Sequence, residues 1–211
     1  MILQNLSFIE SMNKRPLFGI DEIVARALED KVPVVSYEIG RLLALTVKMR
    51  RPRKILEVGS GYGVSTLFMA SGDPSAKIQT IDGNATRASF VKEQVMQNGL
   101  QDRIAVRYIT ASDFFKECTE EFDMIFLDCA KKDYIEIYEQ CLGLLAPKGL
   151  LMADNILFKG VLASGDEPGP RHKAVAESMR QFIETVGSDA RVDAHFLEIG
   201  DGALLAFKNP L

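Results

Sequence analysis

Two apolar runs in this chain finish on side chains that offer oxygen. The stretch "LLMADNILFKG" (150–160) climbs from Leu150 to Ala153 and ends in Asp154 and Asn155. The stretch "MIFLDCAKKDY" (124–134) ends the same way at Asp128, with Lys131 three residues further on. If both runs are buried strands lying side by side, their two carboxylates meet at close range. Burying like charges is costly unless a cation sits between them. Two carboxylates and an amide oxygen, without His or Cys, make a hard all-oxygen donor set that selects Mg²⁺, Mn²⁺ or Ca²⁺ over zinc or copper. Three protein oxygens leave coordination positions for water and for two oxygens of a substrate. A lysine beside a dication gives up its proton more readily, so Lys131 is a candidate base. Plainer roles exist for each residue. Asp and Asn also make turns and helix caps, and Lys131 could do no more than neutralise the two aspartates.

A second group lies earlier. "EVGSGYGVS" (57–65) sets Gly59, Gly61 and Gly63 directly after the apolar run "KILEVG". The dinucleotide pattern G-x-G-x-x-G needs glycine at position 64, which is Val64, and no G-K-[ST] is present for a triphosphate. Asp82 closes the next apolar run, "KIQTID", about twenty residues on, where a carboxylate can accept from both ribose hydroxyls. A ribose-bearing ligand without a pyrophosphate points to S-adenosylmethionine (SAM). Glu57 adds negative charge near a ligand that carries a sulfonium and an ammonium; otherwise it makes a strand-end salt bridge. Asp82 could likewise be a simple helix cap.

Elements must bring these groups together. Apolar runs at 54–59, 77–82, 103–109, 122–128 and 149–154 read as strands. Between them, 64–72, 84–99, 112–118 and 133–145 read as helices. Asn84 caps the second, Ser112 opens the third, and Asp133 with Glu136 makes a capping box for the fourth. A helix over 170–187 carries the stripe Val175, Met179, Phe182, Ile183 and Val186, which reads as core. Two late strands, "ARVDAHFLEI" and "ALLAFK", are joined by the turn signal "GDG". The first fifty residues are helical, with Pro33 separating two helices. The expected fold is α/β: a Rossmann-like, doubly wound, mostly parallel seven-stranded sheet, with an antiparallel C-terminal hairpin and extra N-terminal helices, in one domain over 1–211. Ligands of such sheets bind beyond the carboxyl ends of the strands, where every group named above sits. The loop "FKGVLASGDEPGP" (158–170) follows Asp154 and Asn155 and has the Gly and Pro content of a lid.

Composition excludes several classes. With 211 residues, 47% of them hydrophobic, the chain can bury one sizeable core, and a net charge of −4 does not suit wholesale binding to nucleic acid or an anionic membrane. The basic cluster "KMRRPRK" (48–54) reads as a solvated helix end. Cys118, Cys129 and Cys141 are odd in number and widely spaced, as expected of reduced thiols in a cytoplasmic protein. The start "MILQNLSFIE" lacks signal-peptide character, and no run approaches a membrane span.

With these residues in view, the chain resembles the cation-dependent class I SAM O-methyltransferases, the group of the catechol and caffeoyl-CoA enzymes and their small bacterial relatives. The resemblance covers about Val34 to Lys208. It rests on "ILEVGSGYGVSTL", "TIDGN", "FDMIFLDCAKKDY", "LLMADNILFKG" and "EIGDGALLAFK". It implies Asp128, Asp154 and Asn155 as metal ligands and Lys131 as catalytic base. It places Glu57, Gly59, Ser60, Gly61, Gly63 and Ser65 around the methionine end of SAM, with Asp128 bordering the cofactor. Asp82 would hold the ribose, Gly83, Ala111, Ser112 and Asp113 would lie near the adenine, and Val35 would close over the cofactor.

Two departures stand out. The chain has "VVSYEIG" where many relatives have a Pro–acidic–x–Gly entrance, and His195 where the catechol enzyme has a glutamate that grips the substrate hydroxyl. His195 reads as a surface or strand residue. The implied reaction is methyl transfer to a hydroxyl of a metal-chelated vicinal diol or catechol-like small molecule, by a homodimer. The rival readings are methylation of a hydroxylated uridine in tRNA and a SAM-binding protein without catalysis.

Overall fold

The computed structural model describes residues 18–162, 169 and 172–210. Two helices, α1 (Ile20–Glu29) and α2 (Tyr37–Arg50), precede an alternation of strand and helix. This runs β1 (Lys54–Val58), α3 (Val64–Gly72), β2 (Lys77–Asp82), α4 (Ala85–Gln97), β3 (Ile104–Tyr108), α5 (Ala111–Glu117) and β4 (Phe122–Leu127). A short 3₁₀ turn (Lys131–Asp133) leads into α6 (Tyr134–Leu144) and β5 (Leu145–Asp154). The chain ends with α7 (Lys173–Ser188), β6 (Val192–Leu197) and β7 (Ala203–Lys208).

The seven strands form one sheet in the order β3-β2-β1-β4-β5-β7-β6. Five are successively parallel, and β7 inserts antiparallel between β5 and β6 as the return arm of the hairpin. The order reverses between β1 and β4, which pair directly, so the crevice of a doubly wound sheet opens above their carboxyl ends. The expected fold class is the one found.

Two-residue alternation divides the core. In β4, Met124 and Phe126 face one side with Ile55, Ile78 and Met152, under α1 to α4. Ile125 and Leu127 face the other side with Leu56, Val58 and Leu151, under α5 to α7. Strands buried on both faces explain why these runs are continuously apolar rather than alternating. On the second face Phe182 of α7 meets Tyr134 and Tyr138 of α6 edge-on, with ring centroids 5.1 and 5.9 Å apart.

Local expectations failed where tertiary packing or turn chemistry prevailed. Thr110, not Ser112, caps α5: it is extended, and its Oγ1 accepts from Asp113 N at 3.2 Å. The Asp133–Glu136 capping box does not form. The 3₁₀ turn, closed by Asp133 N to Ala130 O at 3.1 Å, already winds the chain into α6, and Asp133 makes no side-chain cap. Strand β5 begins earlier than its apolar run, at Leu145 opposite Phe122, across a register irregularity. In α7 the fully buried positions are Ala176, Met179, Phe182 and Val186, while Val175 and Ile183 flank the stripe half-buried. The lid-like loop is described only as far as Leu162, and its residues 163–168 and 170 lie outside the described residues.

Helices α2 and α3 approach closely at Gly40. A Cβ there would stand 2.3 Å from the ring of Phe68, which is fully buried and cannot yield. Alanine improves helix propensity by about 1 kcal/mol at most, whereas forcing volume into a packed core costs about 1–3 kcal/mol. We expect overpacking to win: Gly40→Ala should lower the urea midpoint, by about 1–2 kcal/mol of stability.

Candidate active site

Above the carboxyl ends of the parallel strands lies a cavity of about 920 Å³, in the size range of a small-molecule site. Its floor is the glycine loop after β1. Gly59 has φ +99°, and a Cβ on it would stand 2.1 Å from the carbonyl oxygen of Asp128. The sequence suggests that glycine lets backbone approach a ligand; here the tight neighbour is the end of β4. Gly59 lets two strand ends close up, so Asp128 stands beside the loop, with its N–H on Val58 O at 3.0 Å. Gly63, at φ +83°, is the N-cap of α3, and the first turn of that helix presents Val64 and Ser65 to the cavity.

Glu57 does not face the cavity. It is fully buried under the loop, where Ser65 Oγ donates to its Oε1 at 2.5 Å and Thr66 Oγ1 donates to its Oε2. No salt bridge forms; hydroxyls of α3 cradle the carboxyl instead. Burial outweighs these bonds and pushes the carboxyl up to about 7. Asp82, 4% exposed at the end of β2, does line the cavity. It accepts from Gly61 N at 3.1 Å and Asn84 N at 2.8 Å, and Arg87 pairs with it at 2.8 Å.

Asp128 and Asp154 follow the paired residues Leu127 and Ala153 on neighbouring parallel strands. Lys131 links them. Its Nζ donates to Asp128 Oδ1 at 3.0 Å, to the Asp154 carbonyl at 3.0 Å and to Tyr134 Oη at 2.5 Å, which uses all three ammonium donors. Asp154 is 1% exposed. Its Oδ1 accepts from Asn155 N at 2.7 Å, but its Oδ2 is buried without a partner. Burial first, then the charge of Asp128, pushes the Asp154 carboxyl up to about 7. Asn155 turns into the left-handed region (φ +55°), which Asn tolerates, and lines the same cavity.

Among the described residues no group of three or more His, Cys, Asp or Glu side chains is placed to hold a metal. The candidate trio contains only two carboxylates, with an amide as its third member. An orphaned, buried carboxylate oxygen beside a second carboxylate is a donor set short of positive charge, and that deficit fits a hard cation. The cavity also fits a nucleoside cofactor. Its wall runs from the glycine loop through Asp82 and Gly83 to Ile109, Thr110 and Ala111.

Of the other expected site residues, Val35, Ser60 and Gly61 line the cavity, while Gly63, Ser112 and Asp113 do not. Ser112 is exposed, and Asp113 is engaged with Thr110 and Lys116 on the outside of α5. His195 is exposed on the edge strand β6, opposite Leu205, and does not line the cavity. Cys129 lines it, but burial raises its thiol to about 12, so it is not a reactive thiolate.

Sequence reasoning missed several residues. Val32, Pro33 and Val34 form one wall. Asp201, read only as part of the "GDG" turn, lines the cavity and accepts from Gly160 N at 3.0 Å, tying down the loop after Asn155. Tyr134, inside "AKKDY", holds Lys131 from below, and Arg87 stands five residues after Asp82. Nothing short of the fold marks these residues, apart from their proximity in sequence to groups already singled out.

Comparison with known proteins decides the family. Residues 16–209 match the O-methyltransferase family. The chain belongs to that family. Among curated relatives, this O-methyltransferase is 29% identical over 170 residues to a catechol O-methyltransferase of Niastella koreensis, covering 78% of this chain and 75% of the relative. It is also 29% identical over 179 residues to a caffeoyl-CoA O-methyltransferase of Populus kitakamiensis, covering 81% and 76%. A solved O-methyltransferase from Bacillus cereus in complex with SAH shares the fold, with a TM-score of 0.81 over 96% of each chain at 24% identity. The protein is thus a SAM-dependent O-methyltransferase of the catechol and caffeoyl-CoA type. No helix of the O-methyltransferase, among the described residues, is long and apolar enough to cross a membrane.

Glu57 and Asp154 both titrate higher in the folded chain than their ordinary 4.5 and 3.8. A raised carboxyl contributes stability that is full below its unfolded value and is lost as pH climbs to the folded one. The protein without ligands should therefore lose stability from about pH 4 to about pH 7. Glu57→Gln should flatten that slope, Glu57 alone accounting for roughly 3 kcal/mol. Urea denaturation at a series of pH values, with chelator present, measures it.

Proposed function

We propose that this O-methyltransferase requires a divalent cation and methylates one hydroxyl of a vicinal diol or catechol-like small molecule. The observation that carries the proposal is the pair Asp128 and Asp154, converging at the ends of β4 and β5 with one buried carboxylate oxygen left without a partner. Asp128, Asp154 and Asn155 would hold the ion, and their all-oxygen chemistry suits Mg²⁺, with Mn²⁺ or Ca²⁺ as alternatives. Bound there, a dication would lower the pKa of a chelated hydroxyl and stabilise its oxyanion. Bound SAM would supply the methyl group as an electrophile on sulfur.

The chain's own residues do the rest. Lys131 has its ammonium at the cavity wall between the two aspartates, held by Tyr134 and the Asp154 carbonyl. In its neutral amine form it can take the proton released by an acceptor hydroxyl, and in its ammonium form it shares its positive charge with the resulting oxyanion. Asp82 and the Thr110–Ala111 segment would hold the nucleoside, and the Gly59–Gly61 loop with Ser65 the amino-acid end. The wall from Val32 to Val35 and the apolar side chains of Ile137 and Phe158 shield the reacting atoms from water.

The geometry does not favour methylation of tRNA. The basic cluster at 48–54 lies at the amino end of β1, and the cavity lies above the carboxyl end, a strand length of roughly 17 Å away. Two of its five charges are also engaged: Arg50 donates to the Lys148 carbonyl and lies over the ring of Phe207, and Lys54 pairs with Glu120. A SAM-binding protein without catalysis would give no reason for the buried Asp154 oxygen left without a partner.

With labelled SAM and a catechol acceptor, EDTA should abolish turnover and Mg²⁺ should restore it. Asp154→Ala should lower kcat about a hundredfold or more, since it removes a ligand outright. SAH affinity by calorimetry should stay within about threefold, because the nucleoside side of the cavity is untouched. Undiminished turnover in EDTA would overturn the proposal, and methyl transfer only to a hydroxyuridine-containing tRNA would replace the acceptor.

A further inference from the structure

Asp82 is crowded. Asn84 N donates to its Oδ1 at 2.8 Å, and Gly61 N donates to its Oδ2 at 3.1 Å, with Ser60 Oγ at 3.4 Å. Arg87 takes what is left. Its Nε stands 3.1 and 3.2 Å from the two oxygens, and its Nη2 stands 2.8 Å from Oδ1. A carboxylate offers about four lone-pair sites. Two are held by backbone N–H groups that belong to the folded loops and cannot leave. Ser60 Oγ reaches a third at the long limit of a hydrogen bond, and a side chain that can leave spans both oxygens over the rest. Arg87 is 38% exposed, lines the cavity, and springs from the first turn of α4, whose cap is made by Asn84 and not by the guanidinium.

A ribose diol needs the acceptor positions that Arg87 spans. We infer that Arg87 is a displaceable counter-ion of the ribose site. It neutralises Asp82 while no nucleoside is bound and swings towards solvent when the 2′ and 3′ hydroxyls dock. The inference rests on the assignment of Asp82 to the cofactor ribose. Arg87 then acts on cofactor affinity rather than on chemistry. Breaking its forked pair with a nearly buried carboxylate is a cost that every nucleoside with both hydroxyls must meet. A nucleoside lacking them leaves the pair intact and gains nothing from Asp82. The guanidinium thus sets how tightly the enzyme holds SAM, and also its product SAH.

Calorimetric titration of SAH and of its 2′,3′-dideoxyribose analogue into the wild-type protein and Arg87→Ala tests this. Arg87→Ala should bind SAH about three- to tenfold tighter, the range set by a partly exposed ion pair. The affinity of the dideoxy analogue should be the same in both proteins. Arg87→Met, which keeps the aliphatic stem along α4, should behave like Arg87→Ala. Weaker or unchanged SAH binding in both variants overturns the inference, as does equal tightening of both ligands, because Arg87 would then not be contesting the diol. If Arg87→Ala, with no counter-ion to displace, binds SAH and the dideoxy analogue equally, Asp82 does not hold the ribose, and the assignment beneath the inference falls with it.

Discussion

Desolvated negative charge at the carboxyl ends of the central strands is the constraint on which the rest of the structure depends. Glu57, Asp82 and Asp154 are buried at the ends of these strands, and a buried carboxylate needs a partner. Three solutions appear within one cavity and its floor. Glu57 shares hydroxyls of α3, Asp82 takes an arginine and backbone N–H groups, and Asp128 takes Lys131. Asp154 is the exception, with one oxygen bonded to Asn155 N and the other left over. That leftover oxygen is the observation on which the proposed cation site rests.

The elements around the cavity follow from the same need. Gly59 has no side chain because β1 and β4 must end close enough for Asp128 to join the group. Tyr134 is buried because Lys131 needs a fixed oxygen beneath it; its hydroxyl lies 3.2 Å from the Leu127 carbonyl and 3.1 Å from that of Asp154, binding both strand ends to α6. Asp201 reaches from the hairpin to the N–H groups of Lys159 and Gly160, so the antiparallel addition to the sheet also secures the loop that carries Asn155. Arg87 and Lys131 are alike in form: each is a cation on a flexible stem, resting on a carboxylate at a strand end.

Much of this was legible before folding. The helix over 64–72 and the strand over 77–82 match the structure residue for residue, because glycine and polar turns bound them and their apolar content leaves no alternative. The capping of α5 was not legible. Thr110 and Ser112 are chemically equivalent caps, and only the extended backbone at Thr110 chooses between them. The role of Glu57 was misplaced for a related reason. Its position at a strand end suggested a charge facing ligand, but strand alternation turns it towards the hydroxyls of Ser65 and Thr66.

By itself the sequence determined the element order, the parallel sheet with its closing hairpin, and the oxygen-rich chemistry at three strand ends. Those properties reside in apolar periodicity and residue type, which act locally. Only the tertiary structure decided which groups share a partner. It put Arg87 on Asp82, Tyr134 under Lys131 and Asp201 against the Asn155 loop, and it moved Ser112 and Asp113 away from the cavity. The physical reason is that a hydrogen bond or ion pair depends on separations of about 3 Å between atoms far apart in the chain, which only packing can set.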